Sequence, residues 1–317
     1  MNPHLHIVSQ DPEGLTALDV QIIRALLYFD IFRYPLTAQE IVLYMGIEAD
    51  HLHTVEQRLH VLCDRLLIYR FDNLYSIPND GGLAERRLRG NRMAQEVMPK
   101  AIRRARLIQR FPFVRSVNIS GSLSKNYFDE LADVDFFVIT APGRLWLCRL
   151  LLTVYKKVFL LNVRKYFCIN YYIDTNSLRI PDENQFSATE IITLKNQTGA
   201  AWYNQFMAEN TWVRNYYPNH AYTPEIDTDN RPSAIKRIVE RSLSGRLGNV
   251  LDDTAFRATT FFLKKKYRHL RAEEYAVSFR ARKEASKHHP NSFQFKVMEA
   301  LQQRCADYER THGISLH

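Results

Sequence analysis

The stretch from Val117 to Thr140, VNISGSLSKNYFDELADVDFFVIT, decides how this chain is read. A β-prone run ends in Gly121-Ser122, residues 123–132 intervene, and a second run opens with Asp133-Val134-Asp135. Side chains alternate along a strand, so Asp133 and Asp135 share one face with Val134 buried behind them. Two carboxylates that close are costly to ionise together unless a cation lies between them, which makes the pair a candidate magnesium site. The turn complements it. Glycine lets the backbone approach a phosphate closely, and the turn amides with the Ser122 hydroxyl can donate to its oxygens. Opposite a paired-Asp metal site, such a turn would hold a triphosphate with its α-phosphorus open to in-line attack by an acceptor hydroxyl.

Outward from this stretch, three segments read as helices on the N-terminal side. They are LDVQIIRALLYFDIF, PLTAQEIVLYM with a Thr37/Glu40 capping box, and residues 50–66 with Val55, Leu59, Val61, Leu62 and Leu66 near one stripe. LLIYRFDNLYSI follows as a hairpin turning at Asp72-Asn73. Three helices and a hairpin is the order of a winged helix-turn-helix domain. Residues 82–110 read as a long basic helix, WLCRLLLTVYKKVFLL as an amphipathic helix after the Asp pair, and KYFCINYYID as a third strand. From Ser187 onward the pattern is helical, broken by Pro218, Pro224, Pro232 and Pro290. The expected fold class is α+β, and the expected domains are residues 1–82, winged-helix-like; 83–110, a linking basic helix; 111–200, a mixed sheet with helices; and 201–317, helical.

Gly121-Ser122, the ten-residue gap, Asp133-Val134-Asp135 and their hydrophobic flanks resemble the signature of the DNA polymerase β-like nucleotidyltransferase superfamily. The resemblance covers residues 111 to 200 and is closest to prokaryotic proteins in which a winged-helix segment and a long helix precede the nucleotidyltransferase domain; the run APGRLWLCR also has their look. It implies transfer of a nucleoside monophosphate from a nucleoside triphosphate with magnesium or manganese. By this resemblance Asp133 and Asp135 hold metal, while Gly121, Ser122 and Lys125 hold the triphosphate. Active members carry a third carboxylate on a following strand. Here Cys168, Asn170, Tyr172 and Asp174 alternate onto one face, with Asn170 where the acid is expected. Asparagine can ligate metal through its carbonyl oxygen but is no general base near neutral pH. Asp174 lies roughly 13 Å further along the strand at ~3.3 Å per residue, so the acid is absent or comes from Asp174, Asp182 or Glu190.

Other groups are weaker candidates. Ser124 could touch phosphate beside Lys125. Arg144 and Arg149 flank Trp146, where an arginine could reach a triphosphate but a surface ion pair is the plainer reading. His51, His53, His60, His288 and His289 have no metal-ligand spacing, so no zinc is expected. Cys63, Cys148, Cys168 and Cys305 are scattered without a CxxC, pointing to a reduced, cytoplasmic protein. No leader or transmembrane run is present in the sequence, and no membrane association is expected.

Net charge is +9, with a pI near 9.3, and it is unevenly placed. Residues 83–110 hold nine Lys/Arg against two Asp/Glu, and residues 235–290 fourteen against six, whereas residues 15–80 hold five against nine. DNA affinity rests on phosphate contacts by Lys and Arg. A recognition helix offering only Arg58 and Arg65 therefore makes DNA reading by the acidic lobe the disfavoured alternative. The stretch from Phe261 to His289 interleaves aromatics with bases. It reads either as a clamp for an RNA or acidic protein acceptor, or as a solvated helix whose aromatics lie in the core. An anionic ligand is expected between the basic stretches and the Asp pair. Two functional classes remain open at this stage: a nucleotidyltransferase acting on RNA, protein or a small molecule, and a catalytically impaired binding or regulatory protein favoured by Asn170.

Overall fold

A computed structural model describes residues 14–49, 51–161, 165–226, 232–268, 281–287 and 293–316. The chain is α+β and forms two compact units. One comprises the chain up to Leu88 with Arg214–Ala221 and Phe295 onward, the other Arg89–Val213 with Tyr222–Gln294. Among the described residues no helix is long and apolar enough to cross a membrane.

The first unit opens with α1 (Ala17–Asp30), α2 (Ala38–Tyr44) and α3 (Leu52–Asp64), then a hairpin of β1 (Tyr69–Phe71) and β2 (Leu74–Ser76). The Thr37/Glu40 capping box starts α2 as expected, and a second one, Thr16 with Asp19, starts α1. Val55, Leu59 and Leu62 are buried. Leu66 is not: it lies beyond the helix at φ 56° and is 63% exposed, because the chain leaves the helix at Arg65. Asp72 takes the left-handed backbone that the two-residue hairpin turn demands. Asp19, fully buried, takes two hydrogen bonds from Arg58 at 2.8 and 2.6 Å. One of the two bases of the expected recognition helix is thereby spent on the unit's own core. Distant chain segments complete this unit. Asn219 donates to the carbonyls of Val42 and Ile47 and accepts from the amide of Ala49, while Tyr308 donates to the carbonyl of Leu67 at 2.7 Å.

The second unit is built on a five-stranded mixed sheet. In chain order its strands are β3 (Val114–Ser120), β4 (Asp135–Thr140), β5 (Cys168–Asp174), β6 (Lys195–Thr198) and β7 (Ala285–Lys287), and their spatial order is β6-β3-β4-β5-β7. Only the β4–β5 pair is parallel. β4 and β5 are joined through α6 (Leu145–Phe159), the crossover a parallel pair needs. Val117, Ile119, Phe136, Val138 and Tyr172 make one sheet face. It is covered by α6 and by α4 (Gly81–Gln109), whose Ala101, Ala105 and Ile108 are buried there. α7 (Gln185–Ile192) and α8 (Ala200–Glu209) follow β5, and Phe206 of α8 meets Phe137 on the opposite face at 5.1 Å between ring centres.

The purely helical reading after Ser187 is corrected by β6 and β7. Both are short edge strands, and KNQT and ASK carry little intrinsic β preference; their partners β3 and β5 supply it. Asn196 of β6 bonds to Ser116 and Asn118 of β3, at 3.2 and 2.8 Å, in a buried polar ladder. Two further helices, α9 (Ala234–Ser242) and α10 (Arg246–Lys266), belong to this unit, and α10 packs on α6 through Trp146 and Phe256 at 4.9 Å. Phe261 and Phe262 are 65% and 67% exposed, which overturns the placement of these aromatics in the core. The last helix, α11 (Phe293–His312), carries the chain from the second unit into the first.

Candidate active site

Gly121 follows β3 at φ +68° and opens the one-turn helix α5 (Gly121–Ser124), and a Cβ added there would stand 2.6 Å from Oδ2 of Asp135. Glycine is required twice over, by the left-handed backbone and by the approach to the carboxylate. Ser120 lies opposite Asp135 in the β3–β4 register, so the turn and the Asp pair occupy one end of two antiparallel strands. The turn is braced from within. The Ser124 hydroxyl and Lys125 Nζ both donate to the Gly121 carbonyl, at 2.8 and 3.1 Å, and the amides of Lys125 and Tyr127 donate to that of Ser122. Ser122 itself is half-buried, and its hydroxyl meets no hydrogen-bond partner among the described residues.

Val134 is fully buried; its amide donates to the Lys165 carbonyl at 2.8 Å, and its carbonyl accepts from the Cys168 amide at 3.2 Å. This anchors the segment against the start of β5, but β4 opens at Asp135 and not at Asp133 as expected, so Asp133 lies just before the strand. Burial pushes the Asp135 carboxyl up to about 7, and the charges of Asp133 and Glu190 push the same way, while hydrogen bonds with Cys168 and Asn170 partly offset them. Among the described residues no Lys or Arg charge offsets these effects. The Cys168 thiol is pushed up to about 12 by burial and by the two aspartates, so it keeps its proton, and Sγ lies 3.1 Å from Oδ1 of Asn170.

Asn170 reaches this corner through an irregularity. The β4–β5 register steps from Phe136↔Ile169 to Phe137↔Tyr171, leaving Asn170 as the extra residue of a bulge. The four-residue alternation is therefore broken: Cys168 stands opposite Asp135, whereas Tyr172 pairs with Val138 on the core face. Asp174 is a turn carboxylate at the far end of the strand, accepting from the amides of Gly143 and Asn176 at 3.0 and 2.9 Å. Of the three candidate extra acids, Glu190 is the one whose charge is felt at Asp135. It lies on α7, whose start Asn184 caps, and it pairs with Lys125 at 2.8 Å.

The structure thus brings together Gly121, Asp133, Asp135 and Asn170, with Ser122 on the same turn. Lys125 is adjacent but committed to Glu190 and the Gly121 carbonyl. Neither arginine of the following helix serves this site. Arg144 is buried and donates to the carbonyls of Leu243 and Ser244 at 2.9 and 2.7 Å, which replaces the surface ion pair expected of it. Arg149 sits 5.6 Å from the ring centres of both Trp146 and Tyr172 on the core face. The basic helices α4 and α10 pack on that face through Ala105 and Ala255, and α4 also reaches the loop after the Gly-Ser turn, where the Phe128 amide donates to the Gly90 carbonyl at 3.1 Å. Cys168 was legible in sequence only as a strand residue; its pairing with Asp135 depends on strand register.

Two hard oxygen ligands fit a magnesium ion, which retains waters and takes phosphate oxygens for the rest. The half-buried carboxyl of Asp135, crowded by the charges of Asp133 and Glu190, is the observation that favours a cation there. Among the described residues no group of three or more His, Cys, Asp or Glu is arranged to hold a metal alone, so substrate phosphates would have to complete the set. His288 and His289 lie outside the described residues. Comparison with protein-family models, curated proteins and solved structures gave no match.

Proposed function

We propose that the chain is a magnesium- or manganese-dependent nucleotidyltransferase of the polymerase β-like type. The observation that carries this reading is the contact of Gly121 with Asp135, a glycine turn pressed against a carboxylate that burial and the charge of Asp133 both push up. The order of strand, Gly-Ser turn, antiparallel strand opening at Asp135, helix and parallel strand supports it. Asp133 and Asp135 would hold the cation, which when bound neutralises phosphate charge and orients the α-phosphorus. The Gly121-Ser122 turn binds triphosphate oxygens through amides and the Ser122 hydroxyl. An acceptor hydroxyl of RNA, protein or a small molecule forms the new bond to the α-phosphorus as pyrophosphate leaves. Asn170 cannot take the acceptor's proton; Glu190 is the further carboxylate at this corner able to do so.

One observation favours a second reading, a nucleotide-binding regulator without transfer. The amide of Asn170 bonds to Asp135 where an acid would serve catalysis, and Lys125 is held by Glu190. Incubation with each labelled nucleoside triphosphate, magnesium and candidate acceptors separates the two. Transfer abolished by Asp133→Ala supports the enzyme, and magnesium-dependent nucleotide binding with no transfer to any component of a cell extract supports the regulator. The first unit is read as a winged-helix-like docking module; with Arg58 paired to buried Asp19, DNA reading remains disfavoured.

A further inference from the structure

Three helices of the sheet unit present bulky apolar side chains to solvent. Val158 and Phe159 at the end of α6 are 60% and 69% exposed, Ile235 of α9 is 76% exposed, and on α10 Val250, Phe261 and Phe262 are 61%, 65% and 67% exposed. Side chains this exposed stand proud of the surface. α10 carries two apolar faces. Gly248, Ala255 and Phe256 turn inward, while Leu247, Leu251, Thr254, Ala258 and Phe261 recur at four- and three-residue spacing on the exposed side. An apolar surface of this kind marks an interaction site.

Its charge is one-sided. α6 has no acidic residue, and the three acids of α9 and α10 are all consumed internally. Glu240 binds Arg115 at 2.8 Å, Asp252 is buried against the Leu147 amide, and Asp253 pairs with Lys283 at 2.9 Å. The bases point outward: Lys157 precedes Val158-Phe159, and Lys264, Lys265 and Lys266 follow Phe261-Phe262 almost at once, all of them exposed. The ends of α6 and α10 therefore combine aromatic rings with lysine, the composition of an element that lies in an anionic lipid interface.

Against the expectation from sequence of no membrane association, we propose that the outer face of α6 and α10 docks on an anionic membrane surface without spanning it, the protruding apolar side chains entering the headgroup layer and the lysines meeting lipid phosphates. A second copy of the chain would set like charges against each other. RNA would match the lysines and the phenylalanines but leave the aliphatic side chains without a role. This face is separate from the Asp pair, which opens on the other side of the sheet, so its test is independent of the nucleotidyltransferase reading.

The test is flotation of the full chain with vesicles of phosphatidylcholine alone and of phosphatidylcholine mixed with phosphatidylglycerol. The chain should float with the anionic vesicles only, and added salt should release it. Lys264→Glu, Lys265→Glu and Lys266→Glu together should weaken partition by about a hundredfold or more, since each lysine near an anionic surface is worth roughly a factor of five. Phe261→Ser with Phe262→Ser should also weaken it, with the thermal unfolding of the sheet unit unchanged because both rings are exposed. The proposal fails if the chain floats with neither vesicle or if both variants float like the parent. It fails equally if light scattering finds a dimer that the phenylalanine variant dissociates, which assigns the face to a second copy.

Discussion

Replacing Asp135 by Asn gives the sharpest test of the site. The carboxyl titrates near 3.8 when unfolded and near 7 when folded, so the folded state binds more protons between these values and loses stability as pH rises through that window. Linkage with these values makes the loss between about pH 5 and about pH 8 roughly 2.5 kcal/mol. Asparagine keeps a carbonyl to accept from Cys168 and carries no charge. The stability of Asp135→Asn relative to the parent should therefore improve by about 2.5 kcal/mol over that range. All three tryptophans, Trp146, Trp202 and Trp212, lie in the sheet unit, so urea denaturation followed by tryptophan fluorescence reads this unit by itself. Magnesium added at the higher pH should stabilise the parent and leave the variant unchanged. A difference between the two proteins that stays flat across this pH range would refute the half-buried, charge-crowded carboxylate on which the site is argued.

Gly121→Ala should destabilise the sheet unit by about 2 kcal/mol, from a left-handed backbone and a Cβ driven onto Asp135, read by the same fluorescence assay; an unchanged midpoint counts against the close approach. Glu190→Gln removes a negative charge felt by Asp135. It should shift the pH dependence of unfolding to lower pH, and a shift upward or none would separate Glu190 from the site. Arg58→Ala leaves the buried Asp19 carboxylate without its main cation and should cost the first unit about 3 kcal/mol by far-ultraviolet circular dichroism. The same substitution should leave DNA retention on a gel unaltered, since the residue serves the core.

Much of the helical framework and the motif was legible in sequence because both are local. The Thr37/Glu40 box sets the start of α2 through contacts three residues apart. Gly121-Ser122 and Asp133-Val134-Asp135 are each contiguous, although β4 takes in only Asp135 and leaves Asp133 just before it. Leu66 escaped because one left-handed residue at a helix end reverses what a periodic stripe predicts. β6 and β7 escaped because a polar edge strand takes its conformation from its partner, and Phe261 and Phe262 because periodicity finds an apolar face without saying what covers it.

By itself the sequence determined that a Gly-Ser turn closes one strand and that an aspartate opens the next, since strand ends are written in the local pattern, although that aspartate is Asp135 and not Asp133. Only the tertiary structure decided what surrounds them. The β5 bulge carried Asn170 to Asp135, the register set Cys168 opposite it, and α7 brought Glu190 to take up Lys125. Those relations depend on pairing between segments distant in the chain. Desolvation, which raises Asp135 to about 7, exists only once those segments have closed over it.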